Sequence, residues 1–134
     1  RKINFPGYKM YMNSIQAYIA NESLKKLPKK IEKLSSIREK YNSAFNLNNT
    51  SQHLYRLNLQ NRDEFMRAMK EENYQTGIHY AALHKNYVYE QKELYLPKTE
   101  FDMRTTISIP FNEKLQKSDI QNIIKMVEKY ANRC

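Results

Sequence analysis

His79, Tyr80 and His84 are the residues of this sequence whose types most readily suggest chemistry. An imidazole can transfer a proton near neutral pH or ligate a metal ion, and a phenol can hydrogen bond to a substrate. The two histidines are five residues apart, whereas two ligands on one helical face are three or four residues apart. Neither a cysteine nor a pair of carboxylates near them completes a zinc site, so the sequence predicts no metal centre.

A catalytic nucleophile and a phosphate-binding loop are also unsupported by the sequence. The only cysteine, Cys134, is the last residue, and no serine lies in a glycine-rich elbow. Gly7 and Gly77, the only glycines, are too far apart to form a phosphate-cradling loop. We therefore predict no catalytic residue, and packing within a loop stays an alternative role for the two histidines and Tyr80.

The net charge of +9 and the pI near 9.6 raise nucleic-acid binding as another alternative, because clustered cations release counterions from phosphates. Eleven tyrosines could add base stacking. Five lysines, however, lie between the apolar positions of a helical pattern, where a solvated face is expected: Lys25, Lys26, Lys29, Lys30 and Lys33. No segment resembles an RNA-binding signature, so nucleic acid is not the expected partner. A free-standing basic interaction domain stays the alternative function.

The elements that must position these residues fit one small domain, residues 1–134, with an irregular lead-in over residues 1–8. No apolar run approaches the roughly 20 residues of a membrane span, so no membrane insertion is expected. The amino end lacks a secretory signal, and with one cysteine no intrachain disulfide can form. A cytoplasmic location is therefore expected.

Apolar spacing of three and four residues predicts a long helix from about Ser14 to Phe45. Pro28 should kink it or divide it into two helices that meet at Leu27. A loop (46–52) and a strand (53–59) follow, and then a helix (63–73) capped by Asn61 or Asp63. The long helix has more apolar positions than a small sheet can cover, so exposed apolar surface is expected.

In the second half, Gly77 introduces a short apolar piece, GIHY, which we count as a strand. An ordered loop (81–97), a short helix (98–104) and a β-like segment (105–111) follow. Ser118 and Gln121 form a capping-box pattern for a last helix that runs through Tyr130. The predicted fold is α+β, a small antiparallel sheet packed with a long amino-terminal helix and a carboxy-terminal helix.

Four segments resemble, in order, the small carboxy-terminal domain of the DegT/StrS family of pyridoxal-phosphate-dependent sugar aminotransferases, a fold-type I enzyme family. They are GYKMYMNSIQAYIANESLKKL, IREKYNSAF, SQHLYRLNLQNRDEFMRAMKEENYQTGIHYAALH and LPKTEFDMRTTISIPFNEKLQKSDIQNIIKMV. Together they extend from Gly7 to about Tyr130. Each motif is short, and their shared order and spacing carry the resemblance.

The resemblance implies roles for several residues. Lys9 would lie near the pyridoxal phosphate (PLP) of a partner subunit, where an ammonium group suits a phosphate, although a solvent-exposed loop lysine is an equal alternative. The residues implied to face the substrate are Tyr11, His79, Tyr80 and His84. Departures from the family pattern at Tyr11, Asn13, Ser14, Tyr18 and Ala81 weaken a direct transfer of contacts.

The function implied is that of a domain that closes the pocket for a keto nucleotide-sugar and helps to form a homodimer. The family's Schiff-base lysine and most of its PLP contacts belong to a large domain that this chain does not contain. Transamination needs that lysine. We therefore expect PLP in the parent enzyme, no cofactor for this chain alone, and no turnover by this chain alone.

Overall fold

The computed structural model of the chain describes residues 11–85 and 94–131. Its elements are α1 (Ser14–Phe45), β1 (Tyr55–Asn58), α2 (Arg62–Glu71), a 3₁₀ turn (Leu83–Lys85), α3 (Pro97–Thr105), β2 (Thr106–Ile109) and α4 (Lys117–Ala131). The predicted lead-in over 1–8, Lys9, part of the predicted loop over 81–97, and Cys134 lie outside the described residues. The observed fold is α+β with an antiparallel sheet, which confirms the predicted class.

Helix α1 begins at a capping box in which Asn13 and Gln16 exchange side-chain to backbone hydrogen bonds of 2.9 and 3.0 Å. It ends at Asn46, which has left-handed backbone angles. The helix continues through Pro28, so the alternative of two helices meeting at Leu27 is wrong. Leu24 and Pro28 are exposed, so water can bond the Leu24 carbonyl that proline leaves unpaired.

The two strands pair antiparallel, with Arg56 opposite Ser108 and Asn58 opposite Thr106. Beyond them, Gly77 forms an isolated bridge to the other edge of β2 at Ser108. The GIHY segment is therefore not a strand, because only Gly77 pairs. Both strands are shorter than predicted, and the predicted strand at Thr105 begins one residue later because α3 extends to Thr105.

The core lies between the inner face of the sheet and the second half of α1, α2 and α4. Its buried residues are Ile37, Tyr41, Tyr55, Leu57, Leu59, Phe65, Met69, Ile107, Ile109, Ile120, Ile123, Val127 and Tyr130. Tyr41 is fully buried and its hydroxyl donates to the Pro110 carbonyl at 3.0 Å, and burial raises the pKa of this phenol. This core fixes the sheet, and with it the opposite, outer face.

Two helix starts differ from the predicted ones. Helix α4 begins at Lys117, and the Asp119 carboxylate accepts a hydrogen bond of 2.9 Å from the backbone N–H of Gln116. The predicted capping box between Ser118 and Gln121 is therefore wrong. Asn61 precedes α2 as one alternative had it, but its side chain makes no capping bond and donates instead to the Tyr130 carbonyl at 3.1 Å. That bond joins the start of α2 to the end of α4.

The first half of α1 is left uncovered by the core. Ile15, Tyr18, Ile19 and Leu24 expose between 59% and 73% of their surface, and the first buried residue of the helix is Leu34. This confirms the expected exposed apolar surface. In the part of the chain that the structure describes, no helix is both long and apolar enough to cross a membrane.

Candidate functional site

The outer face of the sheet carries polar side chains. In β1 the burial alternates, so Tyr55 and Leu57 enter the core while Arg56 and Asn58 are exposed. Their partners across the strands are Ser108 and Thr106. These four residues, the outer face, therefore form two rows of polar side chains, and the period of two in a strand places them on one side.

An open cleft of about 480 Å³ lies over this outer face. Helix α3 forms one wall, and the segment after Gly77 forms another. The residues that line the cleft are Arg56, Asn58, His79, Tyr80, Ala82, Thr99, Asp102, Met103 and Thr106. Two of the predicted substrate-binding residues, His79 and Tyr80, thus lie at one concave surface, which is the usual shape of a small-molecule site.

The imidazole of His79 is held by its neighbours. Its Nδ1 lies 2.9 Å from the Ser108 hydroxyl oxygen, and Ser108 is buried. Gly77 exchanges backbone hydrogen bonds of 3.0 and 2.8 Å with Ser108 and leaves space for the ring. A Cβ atom at Gly77 would lie 2.5 Å from His79 Cε1. With Nδ1 engaged, Nε2 is the ring nitrogen left to meet a ligand.

Tyr80 exposes 77% of its surface. Its ring meets that of His79 edge to face, with centroids 5.1 Å apart and planes at 89°. An exposed aromatic ring beside a polar cleft can cover the apolar face of a sugar or a base. The pair therefore presents a flat surface and a polar nitrogen together.

A second set of groups, which sequence reasoning missed, lies at the other row of the outer face. Asn58 donates to the Asp102 carboxylate at 3.2 Å and accepts from the Thr106 hydroxyl at 3.1 Å. Asp102 comes from α3, so the row is assembled from three elements. The alternation of Arg56 and Asn58 in the sequence was a signal for an outer face, but it could not reveal that α3 approaches it.

His84 lies elsewhere. It is 9% exposed, its Nε2 is 3.3 Å from Glu100 Oε1, and it does not line the cleft. The adjacent Lys85 reaches the same oxygen at 3.1 Å. Hydrogen bonds from Lys85 and then His84 lower the pKa of Glu100. The structure therefore places His84 in a clamp between the 3₁₀ turn and α3, and its substrate-facing role stays a prediction.

The remaining predicted positions lie at the amino end. Tyr11 is 81% exposed just before α1, and Lys9 lies outside the described residues. Within 11–85 and 94–131 no group of three or more metal-ligating side chains comes together. Among the described residues that line the cleft there is no lysine, so these residues do not fit a Schiff base with PLP.

Fold and cleft together define an α+β domain with a polar cleft on the outer face of its sheet. A family model described as the DegT/DnrJ/EryC1/StrS aminotransferase family matches residues 1–128. The chain belongs to this aminotransferase family.

The chain is also similar to individual proteins. The chain is 28% identical to the uncharacterized protein MJ1066 of Methanocaldococcus jannaschii, over 94% of this chain and 38% of that protein. The structure is similar to the aminotransferase TlmJ of Streptoalloteichus hindustanus (TM-score 0.83, 22% identity, 96% of this chain and 39% of that one). It is also similar to Helicobacter pylori PseC, an aminotransferase involved in the biosynthesis of pseudoaminic acid (TM-score 0.82, 20% identity, 99% and 41%). The chain thus spans about two fifths of the length of these proteins.

Proposed function

We propose that this chain is the carboxy-terminal domain of a PLP-dependent aminotransferase that acts on a keto nucleotide-sugar. In this proposal the domain closes the substrate pocket and contributes to a homodimer. Lys9 lies near the partner's PLP phosphate, and Tyr11, His79, Tyr80 and His84 face the substrate. PLP supplies the electron sink for amino transfer, and the lysine that holds it belongs to a large domain outside these residues.

The family match supports the aminotransferase class, and the orientation of His79 at the open cleft supports the role of this domain toward the substrate. The hydrogen bond to Ser108 holds Nδ1 of the ring, and the absence of a side chain at Gly77 leaves room for the ring. Nε2 is therefore the nitrogen that is presented to a ligand. A side chain held in this way loses little entropy on binding. Because the described part of the cleft lining holds polar groups but no lysine, its residues can bind and orient a substrate while the chemistry takes place on another surface.

The test begins with the natural gene product, whose intact mass is compared with the 16.1 kDa of these residues. We expect a larger protein that transfers the amino group of glutamate to a UDP- or dTDP-linked keto-hexose. In that protein His79→Ala should lower kcat/KM roughly tenfold or more, because a directed hydrogen bond is lost. His53→Ala, which removes an exposed imidazole outside the cleft, is the matched control.

Two results would contradict the proposal. Turnover by the 134-residue chain alone would show that the chemistry does not reside in a missing domain. A natural product of 16.1 kDa that binds none of the nucleotide-sugars would leave no role for a substrate-closing domain.

A further inference from the structure

Arg56 is the strongest unassigned group in the cleft. Its side chain is exposed on the outer face of the sheet and lines the cleft beside His79. Among the described residues its guanidinium makes no hydrogen bond and no ion pair. A guanidinium group presents a planar fork of donors that matches phosphate.

The strand register brings Arg56 close to His79. Both backbone bonds of Ser108 go to Gly77, on the edge of β2 away from β1. Arg56 and Ser108 are therefore a non-hydrogen-bonded pair, in which Cα atoms are about 4.5 Å apart and side chains approach most closely. The His79 ring contacts the Ser108 hydroxyl. Arg56, Ser108 and His79 thus form one row, with a guanidinium at one end and an imidazole at the other.

The second row has the opposite character. Asn58, Thr106 and Asp102 are joined by hydrogen bonds and end in a carboxylate. Asn58 is two residues beyond Arg56, so the two rows are roughly 7 Å apart along the strand. A carboxylate and an amide are good partners for sugar hydroxyl groups, whereas a carboxylate repels phosphate. The cleft is therefore cationic at one end and hydroxyl-binding at the other.

We infer that Arg56, together with His79, binds a phosphate group of a phosphorylated sugar, and that Asn58, Thr106 and Asp102 bind the hydroxyl groups of its ring. This inference rests on the proposed function and adds to it the direction in which the substrate lies. The phosphate is over the row at Arg56, and the sugar lies toward α3. Tyr80, next to His79, covers one side of the ligand.

The test uses three probes, which are inorganic pyrophosphate, glucose 1-phosphate and UDP-glucose, with NMR titration of the 134-residue chain. We expect saturable shifts of the Arg56 Nε and His79 signals with all three probes. Arg56→Gln should weaken glucose 1-phosphate binding roughly tenfold or more, because a charged hydrogen bond is lost. Arg56→Lys should weaken it less, since the charge stays while the fork is lost.

The matched control is Arg67→Gln, which removes the same charge from an exposed position on α2 outside the cleft. It should leave the affinity nearly unchanged. Asp102→Asn tests the second row, because it should weaken glucose 1-phosphate binding without weakening pyrophosphate binding. Equal losses in the Arg56 and Arg67 variants would overturn the inference, since they would indicate unspecific attraction by the net charge.

The outcomes also separate this inference from the proposed function. In one outcome, UDP-glucose shifts the NMR signals of His79 and Tyr80 equally in the wild type and in Arg56→Gln. That result would overturn the role of Arg56 and would still support a nucleotide-sugar site. The opposite result is that pyrophosphate and glucose 1-phosphate bind in a way that depends on Arg56, but the natural protein has no aminotransferase activity. That result would support the phosphate subsite and contradict the proposed function.

Discussion

Gly77 has no side chain, and this leaves the space that the His79 ring occupies. Its backbone does not have a positive φ, so alanine is compatible with the local conformation. The conflict is with the imidazole, whose Cε1 would be 2.5 Å from the new Cβ. Gly77→Ala must therefore move the ring and break its hydrogen bond to Ser108.

The expected cost of Gly77→Ala is about 1 kcal/mol in the free energy of unfolding, the usual value of one hydrogen bond. Urea denaturation measures it. In a His79→Ala background the same substitution should cost much less, because the ring that it displaces is gone. An equal cost in both backgrounds would mean that Gly77 is needed for its backbone and not for the ring.

The contacts of His79 could not be predicted from the sequence. Gly77, His79 and Ser108 belong to segments about 30 residues apart, and their meeting depends on an isolated bridge at the edge of β2. The motif around His79 and Tyr80 pointed to a site by resemblance. The resemblance did not indicate that Ser108 is the hydrogen-bond partner of His79, because a serine in a β-like segment has no sequence signature of its own.

At the scale of elements, the clamp of Glu100 with His84 and Lys85 joins α3 to the 3₁₀ turn that follows the cleft segment. The pKa of Glu100 is lowered by these hydrogen bonds. A carboxylate whose folded pKa is lowered stabilises the fold above its unfolded pKa, about 4.3. The contribution is lost as the pH falls through the lowered folded value.

Glu100→Gln should therefore lower stability at neutral pH and reduce the part of the acid destabilisation that occurs below about pH 4.3. Urea denaturation at a series of pH values measures both effects. Glu39→Gln, at an exposed position of α1, is the control and should change neither by much. Parallel stability curves for wild type and Glu100→Gln at all pH values would show that the clamp does not depend on the charge.

Most helices could be predicted because apolar spacing and capping residues are local signals. The positions of α1, α2 and α4 follow from them. Two local rules gave the wrong detail. Pro28 does not divide α1, because that half of the helix is solvated and the proline breaks no packed turn. The capping box predicted at Ser118 does not form, because the Asp119 carboxylate accepts the hydrogen bond at the start of the helix instead. A carboxylate there also interacts favourably with the positive end of the helix.

At the scale of the whole molecule, the amino-terminal half of α1 is both apolar and basic. Its exposed apolar residues are Ile15, Tyr18, Ile19, Leu24, Leu27 and Ile31, and five lysines accompany them between positions 25 and 33. Exposed apolar side chains concentrated on one helical segment are typical of an interaction surface. The sequence indicated the surface through an excess of apolar positions, whereas its extent depended on where the core ends, at Leu34.

The 134-residue chain should therefore associate with itself in solution, with a sedimentation coefficient that rises with concentration. The net charge of +9 opposes association, so added salt should strengthen it by screening the repulsion. Replacing both Ile15 and Ile19 by Gln should weaken association. It should leave the free energy of unfolding nearly unchanged, within about 0.5 kcal/mol, because both side chains are already exposed.

The control for this experiment is Leu47→Gln, which changes an exposed apolar residue beyond the other end of α1. If the first half of α1 is the interface, Leu47→Gln should leave the sedimentation profile like that of the wild type. A chain that stays monomeric at all concentrations and salt levels would contradict the prediction. Equal effects of both changes would instead indicate general stickiness of exposed apolar side chains, since the two sites lie at opposite ends of the helix.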